Sequence, residues 1–319
     1  MNVFVAGASG TIGRRIVEKL VDNGHEAIGL TRSPDKASAL EMLGAQVVIG
    51  DVLDRDRMKA LFAETQPDGV IQVLNALPQR GPMRPSEMEA TNELRTTGTR
   101  NVLSAAIDVG TRRFVAESMI FVYGYGDHGV TPISEDHPVM RDPDVESARP
   151  ALEALLSLEQ QVLDASSERS IEGIVLRYGV FYGPDVGSTE FMKTLLKRRM
   201  FGLPGGGTAL GSWIHVEDGA AAAVAALESD KSGEIYHVTD DEPTTLRKFS
   251  TELARQSGSP RPYTVPLWVA RLLGKQTSLM ARSRLPVSNE KIKRELNWTP
   301  RYPTYREGIA TLISRQATR

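Results

Sequence analysis

A chain of 319 residues with 40% hydrophobic and 24% charged positions can bury a sizeable core, and 38 Lys+Arg against 40 Asp+Glu leave a net charge of −2. That balance excludes general attraction to nucleic acid or anionic lipid, and the lack of cysteine excludes disulfides, thiolate metal ligands and thiol catalysis. No window approaches the ~20 apolar residues of a membrane span, and Met1-Asn2-Val3-Phe4-Val5 does not open a secretion signal, so the expectation is a cytoplasmic protein with no membrane partner.

In chain order, the apolar run Val3 to Ala6 enters a glycine-rich turn, and Ile16, Val17, Leu20 and Val21 then recur at helical spacing. Short apolar runs follow at Ala27 to Leu30, Val47 to Ile49, Val70 to Leu74, Arg113 to Glu117 and Gly173 to Arg177, with helical stretches near Glu87 to Ile107 and Ala151 to Ala165. This alternation predicts an α/β fold, a Rossmann-type doubly wound parallel sheet over residues 1–182. Beyond Tyr182-Gly183-Pro184 the chain turns Gly- and Pro-rich, which predicts a smaller, mixed α/β C-terminal substrate lobe over 183–319; a strand near Glu234 to Val238 is expected to return to the sheet.

Gly7-Ala8-Ser9-Gly10-Thr11-Ile12-Gly13 places glycine at three-residue intervals between the first strand and the first helix. Such a turn lets the backbone approach a pyrophosphate at a helix N-terminus, which predicts a dinucleotide site. The second strand ends in Leu30-Thr31-Arg32-Ser33, where Arg32 suits a ribose 2′-phosphate; NADP(H) is therefore expected in preference to NAD(H), against the plainer reading of Arg32 as a solvated cation. Asp51 and Val52 after the third strand are placed beside the adenine, with Asp51 as a helix cap the alternative and Asp54 the better cap candidate. Asn75, Ala76 and Leu77 follow the fourth strand and should pass the cofactor at the sheet's carboxyl edge.

The glycine turn, Gly50-Asp51, Gly98-Thr99-Arg100-Asn101-Val102-Leu103, Val122-Tyr123-Gly124, Leu176-Arg177 with Tyr182-Gly183-Pro184, Trp213-Ile214-His215-Val216-Glu217-Asp218 and Leu296-Asn297-Trp298-Thr299-Pro300 resemble the extended short-chain dehydrogenase/reductases, more narrowly the NAD-dependent epimerase/dehydratase family. The resemblance implies a nicotinamide pocket lined by Tyr178 and a homodimer formed through the long helix. It also implies a serine, a tyrosine and a lysine that work as a proton relay. Met119 stands at the serine position, Ala151 and Leu155 at the other two, and no Tyr-x-x-x-Lys occurs anywhere in the chain.

Ser118 and Tyr123 are the candidate replacements on the same strand end; the alternative for Tyr123 is an aromatic of the cleft wall. Tyr125, His215 and Trp213 are expected near the substrate pocket, although a packed, hydrogen-bonded histidine remains the competing reading of His215. Met192, Leu267, Trp268, Leu272, Leu273, Leu279 and Met280 supply either an apolar pocket or the small lobe's own core. The other histidines show no metal-ligand spacing. The resulting expectation is an enzyme that reduces, epimerises or dehydrates a small molecule other than a sugar nucleotide; the alternative is a non-catalytic NADP(H) sensor or scaffold.

Overall fold

The computed structural model describes residues 1–82, 84–143, 145–272 and 275–314, with side chains omitted at 276, 313 and 314. Seven parallel strands form the main sheet: β1 (Asn2–Ala6), β2 (Glu26–Thr31), β3 (Gln46–Ile49), β4 (Gly69–Gln72), β5 (Arg113–Met119), β6 (Glu172–Tyr178) and β7 (Glu234–Val238). Their spatial order is β7-β6-β5-β4-β1-β2-β3. The order reverses between β1 and β4, and the crevice outside the carboxyl ends of those strands is where this architecture receives ligands.

Side chains alternate across each strand and divide the core into two layers. Val3 and Val5 of β1 join Ile12, Ile16 and Leu20 of α1 (Thr11–Asp22) beneath one face. Phe4 and Ala6 join the opposite layer, with Met58 and Phe62 of α2 (Arg55–Thr65), Val102 of α3 (Thr99–Asp108) and Leu158 and Val162 of α4 (Arg149–Ser167). An alanine-rich helix, α5 (Val216–Glu228), packs beside α1, where its small side chains permit close approach. Asp54 caps α2 by accepting the Arg57 N–H at 2.9 Å, as its position before the helix predicts.

The helix leading into α3 is not regular: Glu89–Glu93 passes through a π-turn, Leu94–Gly98, before α3 begins. The wider turn shifts the facing of the side chains, and the successive residues Leu94 and Arg95 are both buried.

Three small sheets build the lobe. Val180–Tyr182 pairs with Trp213–His215; Leu210–Gly211 lies between Thr244–Thr245 and Arg284–Leu285; Gly202–Pro204 pairs with Tyr263–Val265. Tyr182, Leu196, Phe249, Leu253, Tyr305 and Ile309 form its core. Of the apolar residues expected to fill a pocket or that core, Met192 packs against it, whereas Trp268 is 59% and Leu272 75% exposed. Leu273 lies outside the described residues. No helix among the described residues is long and apolar enough to cross a membrane.

A buried polar chain joins the sheet to the lobe. Arg177 of β6 donates through Nε and Nη2 to Glu159 of α4 at 2.9 and 2.7 Å and through Nη1 to the Tyr123 hydroxyl at 2.7 Å. Ser118 donates to Glu159 at 2.6 Å, and Tyr123 meets His237 Nε2 at 2.7 Å. The His237 Nδ1 stands 3.1 Å from the Ser288 carbonyl, and burial pushes its pKa down to about 3, so the ring is neutral. Removing one member of a buried ion pair leaves a desolvated charge. Glu159→Ala is accordingly expected to lower the unfolding free energy by about 3–5 kcal/mol, read from the urea midpoint, and joint replacement of Glu159 and Arg177 by methionine and leucine to cost less. A Glu159→Ala protein as stable as the parent would remove this account of the core.

Candidate active site

The glycine turn stands at the switch point, and the reason for each glycine is steric. Gly7 has φ +96°, and a Cβ there would come within 2.5 Å of the Val73 carbonyl oxygen at the end of β4. A Cβ on Gly13 would stand 2.1 Å from the Gly7 oxygen, so α1 rests directly on the turn. Gly10 precedes α1 with no side-chain cap, and its first turn carries no acidic residue, so its N-terminal amides face the crevice without an internal anion. These features fit a dinucleotide pyrophosphate. Ser9 is half-buried, Thr11 donates to the Asp185 carbonyl, and Arg15 reaches the Pro184 carbonyl and Glu217, which ties the lobe's first loop over α1.

At the far end of the crevice Thr31 accepts the Ser33 N–H at 3.2 Å, and Arg32, 62% exposed, holds Nη1 3.7 Å from Asp51. Asp51 also accepts the Leu53 N–H, so it closes a local turn and does not cap α2; Val52 is buried beneath it. Asn75 and Leu77 are exposed on the loop after β4, and the Ala76 N–H is fixed by Thr91 at 3.0 Å. Thr31, Arg32, Asp51 and the loop after β4 therefore follow the carboxyl ends of their strands, at the same edge of the sheet as the glycine turn.

Around the expected nicotinamide end the structure departs from several of the residues singled out above. Ser118 is fully buried and points to α4, on the face opposite the glycine turn, because it alternates with Glu117 and Met119. Tyr123 lies in the polar chain beside Arg177 and His237, with burial pushing its pKa up to about 12 despite the Arg177 cation. Both hydroxyls are engaged in the buried polar chain.

His215 is also buried: its Nδ1 accepts the Glu217 N–H and caps α5, and its Nε2 is 3.0 Å from Thr311. Trp213 stacks on Phe249 at 3.9 Å in the lobe's core. His215 is the packed, hydrogen-bonded histidine of the competing reading, and Trp213 is half-buried against the lobe's core. Tyr178 is buried with its hydroxyl donating to the Gly219 carbonyl at 3.0 Å, and its ring leans on Phe181, so it supports the floor of the crevice. Tyr125 is half-buried against Phe121, burial pushing its phenol up to about 12. Met119 and Leu155 pack in one apolar cluster with Ile120, Val122 and Leu285.

The residues missed by sequence reasoning are Glu117 and Arg95. Glu117 sits in β5 between Ala116 and Ser118, and alternation turns it to the glycine-turn face, with Val115 and Met119. It is 8% exposed, and its Oε2 has no hydrogen-bond partner among the described residues. Burial pushes its carboxyl up to about 7, against the opposing pull of Arg95. A carboxylate directly after the apolar run Phe114 to Ala116 was the available signal. No cluster of three or more potential ligands among the described residues could hold a metal ion.

Residues 3–239 match the NAD dependent epimerase/dehydratase family. The chain is 35% identical over 312 residues to the 3-diazoavenalumate denitrifying reductase of a Streptomyces species, covering 97% of this chain and 99% of that one. It is 29% identical to the 4-hydroxy-2-methyl-3-oxo-4-farnesyl-3,4-dihydroquinoline-1-oxide ketoreductase of Stigmatella aurantiaca, over 99% and 96% of the two chains. The crystal structure of UDP-glucose 4-epimerase with UDP-glucose from Thermotoga maritima superposes with a TM-score of 0.83 at 20% identity over 100% of both chains, a likeness of fold. The chain is a member of the NAD-dependent epimerase/dehydratase family, an oxidoreductase- or epimerase-like enzyme of the extended short-chain dehydrogenase/reductase type.

Proposed function

We propose that the protein is an NADP(H)-preferring reductase of a small organic acceptor. The observation that carries the reading is the glycine cradle at an uncapped helix N-terminus, with Arg32 at the ribose end of the same crevice. When bound, a nicotinamide dinucleotide supplies a hydride. The Gly10 N–H is taken by the Gly7 carbonyl at 3.0 Å, so the chain's own part would be to hold the pyrophosphate on the next amides, Thr11 and Ile12, the ribose end near Arg32 and Asp51, and the ring near Tyr178 and Phe181. Reduction is favoured over epimerisation by the two relatives at 35% and 29% identity, both named for reductions.

Arg32 faces Asp51 across 3.7 Å at an exposed site, so water screens the pair and the guanidinium remains free to take a phosphate in a two-pronged grip. Asp51 nearby keeps the same end acceptable to an unphosphorylated ribose, which allows NAD(H) as the weaker ligand. The homodimer rests on the family resemblance: α4 and the Glu89–Asp108 helix pack together within one chain, leaving Leu156 and Leu163 half-buried at their outer edge.

Calorimetric titration with NADPH, NADP⁺, NADH and NAD⁺ in one buffer tests the cofactor reading, with NADPH expected to bind more tightly than NADH. Arg32→Ala is expected to weaken NADPH about tenfold, ~1.4 kcal/mol, while NADH changes little. No binding by any of the four sinks the reading. Transfer of deuterium from one face of C4-labelled NADPH to 4-nitrobenzaldehyde, cyclohexanone or an arenediazonium carboxylate is the expected signature of turnover; tight cofactor binding without transfer to any acceptor points instead to a sensor. Sedimentation at micromolar concentration is expected to return twice the chain mass, and a monomer mass would end the dimer proposal.

A further inference from the structure

We propose that Glu117 is the acid of this enzyme, donating the proton that accompanies reduction of the substrate, and that Arg95 is the cation that holds the carboxylate left behind. The inference rests on the reductase reading and extends it to the group that supplies the proton.

Glu117 lies two residues before Met119 on β5 and shares its side of the sheet, the side of the glycine turn and the Tyr178 floor. It is the carboxyl that the strand carries to the crevice. A buried carboxyl without a hydrogen-bond partner is costly, and a fold retains one where something outside the chain completes it.

The second observation is Arg95. It is 6% exposed, and burial pulls its pKa down while the Glu117 carboxylate holds it up. It stands on the π-turn Leu94–Gly98, and the shifted facing of that turn puts it within electrostatic reach of Glu117. Arg95 pulls the Glu117 carboxyl toward its charged form, against the desolvation of both groups. The titratable groups that face Glu117 among the described residues are Arg95 from the π-turn and Tyr178 from β6, whose hydroxyl is committed to Gly219.

Competing donors fail on geometry or on acidity. Ser118 and Tyr123 are taken by Glu159, Arg177 and His237 on the other side. Tyr125 holds its proton up to about 12, whereas Glu117 titrates at about 7, where a general acid is half-protonated at working pH.

The chemistry balances. The acceptor's electrophilic atom gains the hydride that NADPH gives up, and the electron pair of its broken π bond moves to the neighbouring oxygen or nitrogen. That atom takes the proton as the Glu117 O–H bond breaks, the bonding pair staying on the carboxylate beside Arg95. Water restores the proton before the next turnover. Because the acid must be protonated, turnover falls as pH rises through neutrality.

The test combines infrared titration of the NADPH-bound protein with single-turnover reduction of 4-nitrobenzaldehyde. Burial also raises Glu135, Asp218 and Asp240, so the band is read as the difference from E117Q; the protonated-carboxyl component that E117Q removes is expected to titrate near neutral pH in the parent and at higher pH in R95Q, since the cation that favours the charged form is gone. E117Q is expected to bind NADPH as the parent does, to reduce the aldehyde about 100-fold more slowly and to lose the alkaline fall in rate. E117Q that reduces within about threefold of the parent with an unchanged pH profile, or that keeps the titrating band, overturns the assignment alone. A parent protein that binds no NADPH, or binds it and transfers hydride to no acceptor, overturns the reductase reading and this assignment with it.

Discussion

The contact between Gly13 and the Gly7 carbonyl sets the distance from the first strand to the first helix, and the rest of the crevice is built from that distance. Any side chain at Gly13 would meet an oxygen at 2.1 Å, and one at Gly7 would meet Val73 at 2.5 Å, so α1, β1 and the end of β4 are locked together without side chains between them. Backbone groups then line the crevice, and the free amides of α1 point into it. Arg15 carries the same constraint outward: it is buried, bonds the Thr11 carbonyl, and reaches the Pro184 carbonyl and Glu217. The C-terminal lobe is thereby anchored to α1.

The opposite side of the sheet is fixed by different physics. Arg177 and Glu159 are both desolvated, and the fold compensates each with every neighbour available: Ser118 and Tyr123 are drawn in as further hydrogen-bond partners. These two side chains carry polar chemistry in a one-dimensional reading of the strand, but in three dimensions their hydroxyls belong to a structural network. His237 extends that network to Ser288, so the lobe's C-terminal segment is docked by the same chain of bonds that stabilises α4.

Much of the fold was legible because its signals are local. Apolar strand runs, the glycine turn and the Asp54 cap each act through neighbours in sequence, and the strand at Glu234 to Val238 is seen paired with β6. The turn between β1 and α1 was legible for the same reason. The surroundings of β5 were not. Which side of the sheet Glu117 and Ser118 take turns on a one-residue alternation, and burial of Arg95 follows from a π-turn that helical periodicity does not announce. The contacts of His215 and Trp213 were not legible because their neighbours, Thr311 and Phe249, are distant in sequence. Trp268 and Leu272 showed the limit of composition: apolar residues in the small lobe stand exposed, neither core nor pocket wall.

The proposed role of Glu117 answers the absence of a Tyr-x-x-x-Lys pair. A tyrosine is a useful acid near neutral pH only beside a cation that lowers its pKa, and Leu155 offers none. Burial pushes the Glu117 carboxyl up to about 7, against the opposing pull of Arg95. A carboxyl raised in this way needs no neighbouring lysine to keep a proton near neutral pH, so the proposed donor, two residues before Met119 on the same strand, depends on desolvation where a tyrosine would depend on a cation.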